Sequence, residues 1–548
     1  MIGTSRPAAD GWFTPFNVGL GLALVIVAAF YATGFDGFWL GDDFANIENL
    51  YALRQERRLW AGTFAYFAGG LSPTGSLYRP FSILSLAANF AAAGTRYAGW
   101  YLAGFAVHLG NVALLALLVR RLAETCEADA SWSAPLAAAL FGLAPMLAEG
   151  VYWQSARADG WVTLFSLLAA HAWIGSGRSA WWLLPALIAA LLFKESGAVL
   201  PLQVALLAWA LPGKRSTAQR ASLLLAFAVL AAFFAWRMHL FGQVWRVYAA
   251  PSATNAWPDW SSLPAAVASV VPWWTAIATT GTVLYPCALG ATLALAAAAV
   301  AHSRARARFA LALACACGGM FLATLLNLGE LAASGEGGRL SYGPFAWLAL
   351  AVGVACARER AAGRATSSAV IYRAALCSIA VACAVGGWTL VAVLHQASLA
   401  QDGVRALTRA LPVWAASHEG ITLLIVPERD GPIVIARNSQ AGLALPPFQE
   451  TPLLHRVLPT LPREVGTRYE QLEGGLAERL TEQRPRWMSA NVLLELSHPA
   501  AARWPDHYAC WSQTRRSISE IPAPRTDSKT AWSADLLDAA KTACGTVS

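Results

Sequence analysis

Apolar positions in the first 395 residues run on without the polar interruptions that would give a surface helix its stripe or a strand its alternation. Charge-free runs at Phe16–Phe35, Val283–Ala301, Phe309–Gly329, Leu340–Ala357 and Ala374–Leu394 are long enough as helices to cross about 30 Å of hydrocarbon. Shorter runs at Ser131–Ala148, Gly160–Gly177, Ser179–Phe193, Ser196–Gly213 and Ala221–Trp236 fit tilted or protein-covered spans. With Tyr97–Val119, broken only by His108, the pattern predicts about eleven spans. Between them, 36–96 contains "YALRQERRLWAGTFAYF" and "LYRPFSILSLAANF", each with an apolar face and a charged flank, which suits helices lying in the membrane interface. The Trp-, Pro- and Ser-rich segment 237–282, with "PWWTAIATTGTVLYP", belongs at headgroup level.

The pattern changes near Gln396, where charges and prolines return. "ITLLIVPERDGPIVIARN" reads as two β runs around a turn at Asp430–Gly431, "ANVLLELS" as a further strand, and Asp402–Ala416 as a helix. The expected architecture is an all-α polytopic membrane domain over 1–395, followed by a small soluble α/β domain over 396–548. No repeat of 20–50 residues points to a solenoid.

Composition sharpens the class. Hydrophobic residues are 57% of the 548 positions and charged residues 13%, about half the charge of a soluble domain. The loops that alternate with Arg6 carry fourteen Lys/Arg and the opposite loops ten, which places the N-terminus in the cytoplasm and the C-terminal domain outside. In a bacterium the chain would be a multi-pass inner-membrane protein with a periplasmic C-terminal domain. Val18–Tyr31 lacks a following small-residue cleavage site and reads as a retained span. The net charge of +8 follows the inside-positive bias, and no basic cluster with interleaved aromatics suggests nucleic acid. Six cysteines (Cys287, Cys315, Cys317, Cys356, Cys377, Cys383) lie in apolar runs, and Cys126 in an inside loop. Cys510 and Cys544 fall in the outer domain, where an oxidising compartment would let them pair.

This topology puts Asp42, Asp43, Glu149, Arg157, Asp159, Lys194, Glu195 and Arg339 on one face. Ionisable residues at a membrane edge are usually paired or functional. Plain readings exist for each: Asp42 and Asp43 end a span in water, Glu149 with Arg157 and Asp159 makes a salt bridge, Lys194–Glu195 neutralises itself at a helix end, and Arg339 with Tyr342 anchors a headgroup. His108 reads as a packing residue between helices. Taken together they suit an anionic head on a lipid tail. In transfer of a sugar from a lipid phosphate, cations hold the leaving phosphate and a carboxylate takes the proton of the attacking hydroxyl. Neither GxxxxGK[ST] nor GxGxxG is present, so no nucleotide loop is expected.

The ordered motifs "GDD", "YRPFSILS", "HLGNVALLALL", "PMLAEGVYWQSARADGWVTLFSLLA", "LLFKESGAVLP" and "GRLSYGP" together resemble the polytopic lipid-phosphate-sugar glycosyltransferases of the GT-C class. They are most similar to bacterial relatives of the O-mannosyltransferases that carry tetratricopeptide repeats. The resemblance spans Gly41 to Pro344. It implies a polyprenyl-phosphate-linked sugar donor and a glycan, lipid or protein acceptor reached from the periplasm. One of Asp42 and Asp43 would be the catalytic base. The donor or substrate would be bound by Tyr78, Arg79, Glu149, Trp153, Arg157, Asp159, Lys194 and Glu195, with Arg339 and Tyr342 at the donor phosphate. No cofactor is expected: two adjacent carboxylates are too few to define octahedral oxygen coordination, so a divalent metal is not favoured. Ala144 stands where these relatives often have His before Pro145, and the repeat array is missing, which leaves the acceptor open. A flippase of a lipid-linked substrate and a non-catalytic glycan-assembly partner remain as other readings. The first would favour paired halves, which the sequence lacks.

Overall fold

The structure, a computed structural model, describes residues 14–69, 77–175, 177–241, 279–301, 304–328, 338–359, 366–436, 440–472, 504–524 and 528–545. Helices occupy every apolar run predicted to span. Among the described residues, five are long and apolar enough to cross a membrane, within Pro15–Asp36, Tyr97–Thr125, Thr217–Phe241, Ala305–Leu322 and Ala369–Ser417. The pair Ser133–Gly142 and Pro145–Tyr152, bent by 57°, makes a sixth. Others in the expected set are short: Leu183–Phe193 and Leu200–Ala210 have 11 residues each. The ends that face each other, at Phe193 and Leu200, are buried in the protein, where Ser82 Oγ donates to the Phe193 carbonyl at 2.7 Å and so satisfies a group that lipid would not. The chain is a multi-pass membrane protein.

The two ends of the bundle are chemically distinct. At one, Ala128–Asp129 pairs antiparallel with Arg358–Glu359. There Arg306 donates to the carbonyls of Ala355 and Ala357 and pairs with Glu359 at 3.0 Å. All of these segments were expected inside. The other end gathers the segments expected outside. Asp43–Gln55, Leu59–Gly69 and Pro80–Ala93 form short helices there, matching the two interfacial helical stretches predicted for the first loop. Of the second outer segment, 242–278, including most of the Trp-rich stretch, lies outside the described residues.

The last long helix, Thr366–Ser417, has 52 residues and rises about 78 Å. That is more than twice the hydrocarbon thickness, so it carries the chain out of the bilayer. The compositional break at Gln396 therefore falls within a continuous helix, and the helix expected at Asp402–Ala416 is its outer part. Beyond it, a four-stranded sheet has the order Val457–Thr460, Thr422–Ile425, His507–Ser512, Ser517–Ile521. The first two junctions are parallel and the last antiparallel. The turn expected at Asp430–Gly431 joins Arg429–Asp430 to Ile433–Val434, but the first expected run, Thr422–Ile425, pairs instead with Val457–Thr460 and His507–Ser512 in the four-stranded sheet. The strand predicted at "ANVLLELS" lies outside the described residues.

Strand period decides how this sheet is used. Leu423 and Ile425 face the helix Lys529–Cys544 with Tyr508, Trp532 and Leu536, whereas Leu424, Ala509 and Trp511 belong to the core continuous with the membrane helices. Cys510 and Cys544, whose pairing the sequence left open, form a disulfide that closes a loop with a sequence separation of 34. Replacing Cys544 by Ser is expected to cost about 2–4 kcal/mol of the outer unit's stability. Loss of protection of the 507–521 amides to hydrogen exchange, with the membrane helices unaffected, would be the measurement.

Candidate active site

The first outer loop turns at Gly41, whose φ of +50° suits glycine, and an added Cβ would sit 2.8 Å from the ring of Trp153. Two carboxylates follow in different environments. Asp43 is 2% exposed; its Oδ1 accepts from Ser155 N at 2.8 Å and Ser155 Oγ at 2.6 Å, and its Oδ2 from Leu40 N at 3.3 Å. Asp42 is half-buried, at the N-terminal edge of the helix Asp43–Gln55. The fixed neighbour bolts the first loop to the second, and the other carboxylate is left nearer to solvent.

Burial pushes Asp43 up to about 7, against the lowering effect of its Ser155 and Leu40 hydrogen bonds, and the nearby Asp42 charge adds to the rise. A carboxyl group whose folded pKa is raised holds its proton longer in the folded state. Stability is thus greatest below about 4 and falls as pH rises toward 7. Ser155→Ala removes a donor that favours the charged form. Melting temperature against pH is expected to keep falling to a higher pH in this variant than in the parent protein.

The remaining predicted residues interlock. Glu149 accepts from the Arg339 backbone N–H at 2.8 Å and pairs with its Nη1 at 2.7 Å, and the Arg339 guanidinium lies 4.5 Å from the Trp153 ring centroid. The Trp153 indole N–H is buried and has no hydrogen-bond partner among the described residues. Arg157, 4% exposed, packs over Trp100 and donates to Ser85 Oγ at 3.3 Å. The amide of Asn89, oriented so that its oxygen accepts, meets the same guanidinium. Burial pushes Arg157 down to about 10, against the opposing pull of Asp43.

Lys194 and Glu195 do not neutralise each other; each finds its partner in another segment. Lys194 Nζ bonds both oxygens of Asp159, at 2.7 and 2.6 Å. Glu195 takes a two-pronged contact from Arg79, Nε to Oε2 at 2.9 Å and Nη2 to Oε1. Lys194 is extended (φ −163°, ψ 145°) where its helix ends, and that kink sends the two side chains apart. Arg237, 1% exposed, lies within electrostatic reach of Glu195 and Arg79. Arg79, Lys194 and Arg237 thus gather with Asp159 and Glu195 in one buried cluster.

Two predicted residues face elsewhere. Tyr342 is buried beneath the site, its hydroxyl 2.6 Å from His108 Nδ1 and 3.3 Å from Asn111 Nδ2, and its ring against Gly150. His108 also meets the Gly142 carbonyl at 3.1 Å, the packing role expected of it. Tyr78 is buried with its hydroxyl on the Phe67 carbonyl at 2.9 Å, so it sets the approach of Arg79. Sequence reasoning missed Ser155, Ser85, Asn89 and Arg237. Arg237 carried a signal, a lone cation ending an apolar run; the other three carried none. Among the described residues, no group of three or more His, Cys, Asp or Glu side chains is placed to hold a metal ion.

No family model and no curated protein matches the chain. Among solved structures it is similar to ArnT from Cupriavidus metallidurans bound to undecaprenyl phosphate. That likeness has 15% identity and a TM-score of 0.42, and covers 92% of this chain and 94% of that one. Against the same protein in the apo state the values are 16% and 0.39, over 84% and 90% of the two chains. The arabinofuranosyltransferase AftD from Mycobacteria shares 15% identity at a TM-score of 0.43; the likeness covers 91% of this chain but only 35% of that one.

Proposed function

We propose that the chain is an inverting membrane glycosyltransferase that moves a monosaccharide from a polyprenyl-phosphate donor to an acceptor hydroxyl, with Asp42 as the base. The observation that carries this reading is a half-buried carboxylate on the same interlocked face as a buried cluster in which Arg79, Lys194 and Arg237, from three separate segments, come together. Cationic donors gathered at one membrane edge suit the oxygens of a lipid phosphate, which accept charge-assisted hydrogen bonds. The order of motifs resembling the bacterial relatives of O-mannosyltransferases supports the same assignment.

In the proposed reaction the acceptor hydroxyl attacks the anomeric carbon as Asp42 takes its proton. The bond from that carbon to the phosphate oxygen breaks on the opposite side, and the configuration inverts. Charge builds on the leaving phosphate, where Arg79, Lys194 and Arg237 hold it, so no proton donor is needed. Arg339, held by Glu149 and stacked on Trp153, is assigned with Trp153 to the sugar end. The Cys510–Cys544 disulfide supports an oxidising compartment for the outer unit, and hence a periplasmic site in a bacterial inner membrane. Purified protein in lipid vesicles, given a radiolabelled polyprenyl-phosphate monosaccharide and extracted cell-envelope acceptors, is expected to release free polyprenyl phosphate with label on the acceptor. Donor moved across the bilayer but recovered intact would sink this reading.

A further inference from the structure

The acidic turn is held from outside as well as from the bundle. Ahead of it, Arg405 of the long final helix donates to the carbonyls of Asp36 at 2.6 Å and Gly37 at 2.9 Å, and its guanidinium lies 5.4 Å from the Phe38 ring centroid. At the turn itself, the Gly41 N–H donates to the carbonyl of Ile435, on the edge of the outer hairpin, at 3.2 Å. Behind it, Phe44 meets Phe448 with ring centroids 4.7 Å apart and lies so close to Gly442 that a Cβ there would be 3.0 Å from its own. The Phe448 segment is in turn tied to the final helix, because Gln449 Nε2 donates to the carbonyls of Thr408 at 3.0 Å and Leu443 at 2.8 Å.

We infer that the outer unit is a positioning wall of the active site: Arg405 and Phe448 set the turn that carries Asp42, and the site is incomplete without them. This rests on the reading of Asp42 as base, and it gives the C-terminal region a role in the chemistry beyond that of an appended domain. The physical reason is the shape of the turn. Its residues 36–42 form no long regular helix of their own, so their position depends on partners, and among the described residues those on one side include Gln401, Arg405, Ile435 and Phe448. A base displaced by about 1 Å loses on the order of 100-fold in rate, whereas the buried cluster that receives the phosphate is built from other segments and stays put.

The test uses the full-length protein in detergent or vesicles, with Arg405→Met and Phe448→Ala, and with Arg405→Lys and Phe448→Leu as conservative controls. In the first two variants kcat is expected to fall by about 10–100-fold while the affinity for undecaprenyl phosphate stays as in the parent; the conservative pair recovers part of the loss. The amides of Gly41 and Asp43 are expected to exchange hydrogen faster in the same two variants, a readout independent of activity. Unchanged kcat and unchanged exchange would overturn the inference, as would a parallel loss of phosphate affinity and melting temperature with no separate effect on kcat. If the parent protein transfers no sugar, the functional reading fails, and the exchange measurement still decides whether residues 405–449 hold the turn.

Discussion

Asp42→Asn is expected to lower kcat by about 10²–10⁴-fold, the range for loss of a general base, while folding and undecaprenyl phosphate binding are retained. The substitution keeps the size of a half-buried side chain and removes only its capacity to take a proton. Asp43→Asn is a different experiment. Its carboxylate receives three donors, from Ser155 N, Ser155 Oγ and Leu40 N. An amide supplies one acceptor oxygen and turns an NH2 toward donors, so a buried polar group goes unmatched at about 1–3 kcal/mol. Activity of that variant should therefore fall together with melting temperature. Steady-state kinetics with thermal melts separates the two; a fully active Asp42→Asn beside a folded but inactive Asp43→Asn would transfer the base to Asp43.

The largest effect on stability is expected from Lys194→Met. Lys194 and Asp159 are side chains about nine-tenths buried, 9% exposed each, with both carboxylate oxygens on one ammonium. Removing the cation leaves a buried charge with its partner gone, at about 3–5 kcal/mol. The double variant Lys194→Met with Asp159→Leu replaces the pair by apolar groups and should regain most of that stability, because a buried pair is worth little beyond its own desolvation. Affinity for undecaprenyl phosphate should not return with it. Both variants lack the ammonium that would contact the phosphate, and regaining the fold does not restore that contact. Recovery of melting temperature together with full phosphate affinity would show that Lys194 is purely structural.

Legibility differed between kinds of feature. The positions of the apolar helices were plain because long charge-free runs have one stable use, whereas placing Cys510 and Cys544 in the outer unit allowed their pairing without deciding it. The face shared by Glu149, Asp159, Lys194, Glu195 and Arg339 was readable because hairpin connectivity forces alternate loops to one end of a bundle. Pairings were not. Lys194 and Glu195 are adjacent, which suggested mutual neutralisation, yet the extended backbone at Lys194 sends one to Asp159 and the other to Arg79. Tyr342 sat in a motif with Arg339, yet its hydroxyl lies in the interior with His108 and Asn111.

What the sequence determined by itself was the solvent each segment prefers: lipid for the runs, water for the outer unit, and one membrane edge for the charges. Transfer free energy is a property of composition along the chain, so it survives without coordinates. Which carboxylate is fixed by Ser155 and which lies nearer to solvent, which partner Lys194 and Glu195 each take, and the grip of Arg405, Ile435 and Phe448 on the Gly41 turn were decided only by tertiary structure. These depend on side chains separated by tens to hundreds of residues meeting within hydrogen-bond or van der Waals distance, and no local pattern encodes such a meeting.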